Sequence, residues 1–244
     1  LNKSVIALTV LGATSLTVNA ADIENQYNPD FGAYLQYNDS GVWEGGVSIA
    51  LSEQARLQLM MDDDGWAALE VSGTVDIDDT RHMWFAAEYG RFDAPQEFEH
   101  SSDNYFMATA LFNQQLGEHF SFYLGGAWEQ GKGSTVVYGD ETSFGESTDY
   151  TDLQAKAGIA VDLTHSITMA YDYTHHNVTR DDVFAMQGIV DDRHRWNEHE
   201  LGFYAQNVAG SNISPYIKAV HYNGNGGSPI ETDTSVWLGV AVGF

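Results

Sequence analysis

The chain has 244 residues, 35 Asp and Glu against 10 Lys and Arg, a net charge of −25 and no cysteine. That balance excludes a nucleic-acid binder, because phosphates would be repelled, and a disulfide or thiolate-zinc scaffold. Aromatics at 13% supply enough apolar surface to exclude disorder, and a mean hydropathy of −0.29 excludes a bundle of membrane helices but not a barrel, which hides its apolar residues at every second position.

The chain opens on Asn2 and Lys3, an apolar run from Val5 to Ala13, and small residues at Val18 and Ala20. A basic start, an apolar stretch too short to span a bilayer and a small-residue cleavage site describe a secretory signal peptide over 1–20, cut after Ala20. Export without cysteine fits a Gram-negative envelope protein. Residues 21–244 are then the functional body, a single barrel.

From residue 31 onward the period is two. The segments 31–38, 42–51, 55–61, 66–77, 81–91 and 105–114 read as strands, followed by 119–130, 150–163, 165–177, 196–208, 213–223 and 233–244. In 150–163 one face is Leu153, Ala155, Ala157, Ile159, Val161 and Leu163, and the other is Asp152, Gln154, Lys156, Gly158 and Asp162. No window has the 3.6-residue period of an amphipathic helix. The fold class is therefore all-β, a transmembrane antiparallel up-and-down barrel of about twelve strands, an even number as single-chain bacterial barrels have.

The connections alternate in character. Ser52-Glu53-Gln54, Asp78-Asp79-Thr80, Gln115-Leu116-Gly117-Glu118, Thr164 and Ala209-Gly210-Ser211-Asn212 are tight, whereas 92–104, 131–149, 178–195 and 224–232 are long, polar and acidic. Two others, Asp39-Ser40-Gly41 and Asp62-Asp63-Asp64-Gly65, are short. Short turns on a periplasmic rim and long loops outside the cell is the transmembrane arrangement. The last strand, Ser235 to Phe244, carries Val236, Leu238, Val240, Val242 and Phe244 on one face. This ending resembles the C-terminal signal of bacterial outer-membrane barrels, which implies that Val240, Val242 and Phe244 are read by the barrel-assembly machinery.

Charge sets which face points where. Glu44, Glu70, Asp76, Glu88, Glu129, Asp152, Asp172, Glu198 and Glu200 share the polar face with Arg56, Lys156 and Lys218. The opposite face is aliphatic, with Phe31, Tyr37, Phe120, Tyr173 and Phe203 towards strand ends, as an apolar band between aromatic girdles requires. The polar set is the expected pore lining. One reading pairs these acids with the three bases and with Tyr, Gln and Thr in a packed polar plug; because the acids outnumber the bases, some are expected to stand hydrated, favouring cations and disfavouring anions.

Arg195-Trp196-Asn197-Glu198 and Ile213-Ser214-Pro215-Tyr216-Ile217, each opening a strand, together with the Gly-Val-rich aromatic ending, resemble the small twelve-stranded oligogalacturonate-specific porin family. The resemblance covers about the last fifty residues with any specificity and implies a monomeric oligosaccharide pore. That family lines its pore with arginines to pass acidic sugars, and this chain has few bases to place there, which points to cations, neutral oligosaccharides or other small hydrophilic solutes.

Two other classes stay open. Outer-membrane lipid hydrolases carry Ser, His and a polar orienter on the lipid-facing wall. His175-His176 follow a strand top here, without a recognisable serine motif; a pair of interfacial or loop histidines accounts for them as well. A structural or adhesive barrel would act through its loops. The acid runs Asp62-Asp63-Asp64, Asp181-Asp182 and Asp191-Asp192 lack the spacing of a calcium loop, and Gly131-Lys132-Gly133-Ser134 is no phosphate loop. No metal, cofactor or catalytic residue is assigned; outer-membrane lipid and lipopolysaccharide are the expected surroundings.

Overall fold

The computed structural model describes residues 31–92, 103–138, 143–180, 193–206, 208, 212–224 and 232–243. Their alternation folds as expected, into twelve strands. These are β1 Phe31–Asn38, β2 Trp43–Ser52, β3 Ala55–Asp62, β4 Trp66–Asp78, β5 Arg81–Phe92 and β6 Asp103–Gln115. They continue as β7 Phe120–Tyr138, β8 Ser143–Thr164, β9 Ile167–Arg180, β10 Arg193–Ala205, β11 Ile213–Gly224 and β12 Asp233–Gly243. Each strand pairs antiparallel with its sequence neighbours, and β1 closes on β12 from Gly32 opposite Gly243 to Asn38 opposite Trp237. Closure satisfies every edge strand, which matters for a sheet whose outer face is apolar.

β1 starts and β12 ends at the same end of the barrel, called here the terminal rim; the opposite end is the far rim. Two far-rim turns share one device. Asn38 Oδ1 accepts from the amides of Ser40 (3.0 Å) and Val42 (2.9 Å), and Asp62 Oδ1 accepts from those of Asp64 (3.0 Å) and Trp66 (2.7 Å). Each loop is finished by a glycine in the left-handed region, Gly41 and Gly65, both at φ 97°. Four turns on the terminal rim, β2–β3, β4–β5, β6–β7 and β8–β9, are as tight as the sequence implies, with Thr164 Oγ1 accepting from Ser166 N at 3.2 Å; the β10–β11 connection spans 206–212 and is longer than the 209–212 expected.

One connection departs from expectation. The segment 131–149, read as a long loop, is largely strand: β7 and β8 stay paired from Gly133 opposite Thr148 to Tyr138 opposite Ser143. Among the described residues β6 pairs with β7 as far as Asn104 opposite Lys132, and β9 with β8 as far as Arg180 opposite Tyr150, so this length of hairpin is a two-stranded ribbon that continues past those rungs. The reason is local: Thr135, Val136, Val137, Tyr138 and Phe144 are strand formers, and the polar and glycine residues among them dominated the composition. β10 also ends earlier than expected, at Ala205. The segments 93–102, 181–192 and 225–231, in which the other long acidic loops were expected, lie outside the described residues, as do 1–30 and Phe244.

The two faces of the wall sort as parity requires. Leu35, Val47, Leu59, Leu69, Val71, Phe85, Leu124, Leu153, Leu201 and Leu238 are exposed on the outside. Inside, two apolar plates are separated by charge. Met60, Trp66, Phe92, Tyr105, Tyr150 and Trp196 pack towards the far rim, and Trp84, Leu111, Tyr123, Ala170 and Tyr204 towards the terminal rim.

Candidate functional site: the inward belt

All twelve expected lining residues point into the barrel, yet they do not stand in open water. Glu44, Glu70, Glu88, Glu129, Asp152, Lys156, Asp172, Glu198, Glu200 and Lys218 are between 1% and 7% exposed. They form a packed belt between the two apolar plates. Arg56 and Asp76 sit apart, nearer the terminal rim: Arg56 is half-buried and donates to Ser48 Oγ at 2.8 Å, and Asp76 is exposed and accepts from Gln54 Nε2 at 3.2 Å. The lumen at the belt is therefore filled by side chains, not the hydrated ring of acids that the charge count suggested.

Tyrosine supplies much of the pairing, as in the packed-plug alternative. Tyr34 donates to Glu44 at 2.7 Å; Tyr105 donates to Glu88, Tyr123 to Asp172 and Tyr150 to Glu129. Three of these pairs share one construction. In Glu44-Gly45-Gly46, Glu88-Tyr89-Gly90 and Glu129-Gln130-Gly131, the glycine two residues after the acid lies opposite the tyrosine on the next strand: Gly46 opposite Tyr34, Gly90 opposite Tyr105, Gly131 opposite Tyr150. The ring can lie flat along the wall because the glycine has no side chain. A Cβ on Gly90 would sit 2.1 Å from the Tyr105 ring, and one on Gly46 2.4 Å from Tyr34. The hydroxyl then reaches back to the acid.

The remaining belt groups meet bases and amides. Glu200 accepts from Lys218 Nζ at 3.2 Å and from the Tyr204 hydroxyl at 3.1 Å, and the Lys218 ammonium lies 5.7 Å from the Trp237 ring centre. Asp152 accepts from Gln154 Nε2 (2.9 Å) and from the Asn177 amide (3.0 Å), and lies 2.7 Å from His176 Nδ1. His176 stacks on Trp196 with ring centres 4.5 Å apart, and its Nε2 lies 3.9 Å from Glu198. Lys156 is buried in the same belt.

His175 and His176 do not follow a strand top: both lie within β9, and parity divides them, His176 inward and His175 outward. His175 Nδ1 lies 2.8 Å from Asn197 Oδ1, and the histidines His175, His176, His199 and His221 bond to Asn, Asp, Tyr and Thr, none of them to a serine. Among the described residues no group of three His, Cys, Asp or Glu could hold a metal ion. Val240 and Val242 face out from the closing strand, opposite Leu35 and Ala33 of β1.

No family model matches the chain, and no curated relative does either. Solved structures do resemble it. An outer-membrane channel from Pseudomonas putida F1 aligns with a TM-score of 0.60 at 10% identity, over 88% of this chain and 96% of that one. The NanC porin aligns at 0.55 and 12%, over 88% of this chain and 100% of that one. The translocator domain of the autotransporter NalP from Neisseria meningitidis gives 0.55 and 14%, over 93% of each. At these identities the likeness is one of fold, and because it extends across channels and a translocator it does not single out the oligogalacturonate-specific family. The chain is a twelve-stranded closed β-barrel of the architecture found in outer-membrane porins and translocators.

Proposed function

We propose that this barrel spans the outer membrane of a Gram-negative bacterium and passes small cations or neutral solutes in preference to anions. The observation that carries the reading is the sign of the belt: among the described residues, its eight buried carboxyl groups stand against Lys156 and Lys218 as the only buried amines. A lumen of that sign attracts cations and raises the barrier to anions. The apolar outer wall supports placement in a bilayer, since a water-facing sheet would not leave Leu59, Leu69, Leu153 and Leu238 each more than 40% exposed around its circumference. Export by the segment 1–20 and assembly through Val240, Val242 and Phe244 belong to the same reading.

The packing of the belt sets the size of the solute. Side chains at 1% to 7% exposure leave no standing channel for a sugar ring, so the conducted species are small cations and small neutral solutes whose passage needs the belt groups to shift. The test is conductance of the refolded barrel in a planar bilayer under a salt gradient. Stepwise currents with a reversal potential on the cation side are expected, and Glu198→Gln with Glu200→Gln should lower the cation preference.

The same packing, with the β7–β8 ribbon continuing past the last rungs to β6 and β9, favours a second reading as a structural or adhesive barrel working through its far rim. Silent bilayers with a barrel that still migrates as folded on gels would select it.

A further inference from the structure

The outer wall is not uniform. On β5 to β8 the outward residues near the far rim are Tyr89, Phe106, Trp128 and Leu153; on β9 to β11 they give way to polar rings and amides. Rungs fix the relative heights. Trp128 pairs with Leu153, Leu153 with Asn177 and Asn177 with Arg195, while His199 pairs with His221. With strands tilted by roughly 40°, one strand crossed along a rung changes height by about 3 Å and one residue along a strand by about 2.5 Å. His199 and His221 then fall within about 5 Å of the height of Trp128, Tyr37 and Trp43, at the level of the aromatic girdle, and Arg195 stands about 10 Å further out.

This patch is ordered from within the wall. His199 Nδ1 lies 2.8 Å from the Tyr171 hydroxyl, His221 Nδ1 lies 2.7 Å from Thr234 Oγ1, and Asn197 takes up both the Tyr173 hydroxyl, at 2.9 Å, and His175 Nδ1. Each ring is held through Nδ1, and its Nε2 has no partner among the described residues. Arg195 is exposed and uses Nε alone in this network, donating to Asn177 Oδ1 at 3.1 Å. That bond fixes the guanidinium plane while leaving its terminal nitrogens, the fork that suits phosphate. No carboxylate faces outward among the described residues of β9, β10 and β11, although the chain carries −25 overall. The outward faces of the other strands are also almost free of carboxylate; what sets this patch apart is its imidazoles and amides at girdle height, with Arg195 beyond them.

We propose that the outward face of β9, β10 and β11 near the far rim binds the phosphorylated sugar headgroup of a glycolipid in the facing leaflet, with Arg195 on a phosphate and His175, His199, His221 and Asn197 on sugar hydroxyls. The proposal rests on the membrane placement above. Polar side chains at girdle height are tolerated at a headgroup and costly against acyl chains, which is why the patch ends at Leu201 and Ile217.

The probe is native mass spectrometry of the detergent-solubilised barrel with bisphosphorylated lipid A and with the same lipid dephosphorylated. The barrel should retain the phosphorylated form about tenfold better, and Arg195→Gln combined with His199→Phe should remove most of that difference. Both substitutions are on the outer surface and the second keeps an aromatic ring; heat-modifiable migration verifies that the variant is folded. Equal retention of the two lipids, undiminished retention by the folded variant, or dimers of the chain that the same variant abolishes would each overturn the site. Failure of the membrane reading shows itself separately, as a chain that stays monodisperse without detergent before any lipid is added.

Discussion

Tyr105 shows how one side chain holds three elements. Its hydroxyl donates to Glu88 on β5 and accepts from Trp66 Nε1 on β4 at 3.0 Å, while its ring covers Gly90. Removing only the hydroxyl, as in Tyr105→Phe, strands a buried carboxyl and an indole N–H together, at a cost of about 1–3 kcal/mol each if neither finds a new partner. Urea titration of the barrel in lipid vesicles should show that loss. Gly90→Ala acts from the other side. The added methyl meets the ring at 2.1 Å, so the tyrosine must shift from its place and its bond to Glu88 is disturbed. The two substitutions should therefore cost similar amounts and add poorly when combined; additive losses would mean that the ring and the hydroxyl are not coupled. The acids of this construction were legible in the sequence, because strand parity assigns every one of them to the interior. Their partners were not. An inward tyrosine and an inward acid on neighbouring strands meet only if the register is known, and register is set by turns whose tightness the sequence shows but whose stagger it does not.

β7 and β8 are the longest strands, and their outer part is supported differently from the rest. Below Lys132 and Asp149 each is paired on both sides; beyond them, among the described residues, each pairs only with the other. A two-stranded ribbon makes little independent contribution to stability. Replacing 133–148 by a short turn is expected to leave the folded gel mobility and the vesicle unfolding midpoint within experimental scatter of the parent, since no rung of the closed wall is lost. A fall in the midpoint would show that the ribbon folds back on the rim. The same region marks where element boundaries could not be read. Elsewhere the alternation of apolar and polar residues located strand ends to within about three residues, because lipid-facing positions must be apolar. In the ribbon that constraint is gone, and Gly133, Gly145 and the polar residues between them read as loop. β10 and β11 carry the complementary case, a buried ion pair across two strands. Lys218→Met alone leaves Glu200 buried beside Tyr204 without its cation, a loss of about 3–5 kcal/mol, whereas Lys218→Met with Glu200→Gln should recover most of it.

At the scale of the whole molecule, the barrel stacks three layers within one wall: an aromatic plate, a belt of carboxyls with two lysines, and a second aromatic plate. The plates and the belt set different properties of the proposed channel. Ion preference follows the sign of the belt, and the magnitude of the current follows all three layers in series, in which the plates contribute the large rings. Trp66 and Trp196, each 3% exposed, close the far-rim plate, and Trp196 also covers His176. Trp66→Ala with Trp196→Ala removes two indoles from that plate and touches no charged group by substitution. Conductance should rise while the reversal potential under a salt gradient stays where it was, because the carboxyl excess is unchanged. Trp84→Ala, in the terminal-rim plate, should raise conductance less on its own, since the far-rim plate still stands in series with it. A reversal potential that moves to zero in the double variant would mean that the tryptophans impose selectivity by size, and the assignment of preference to the belt would fall.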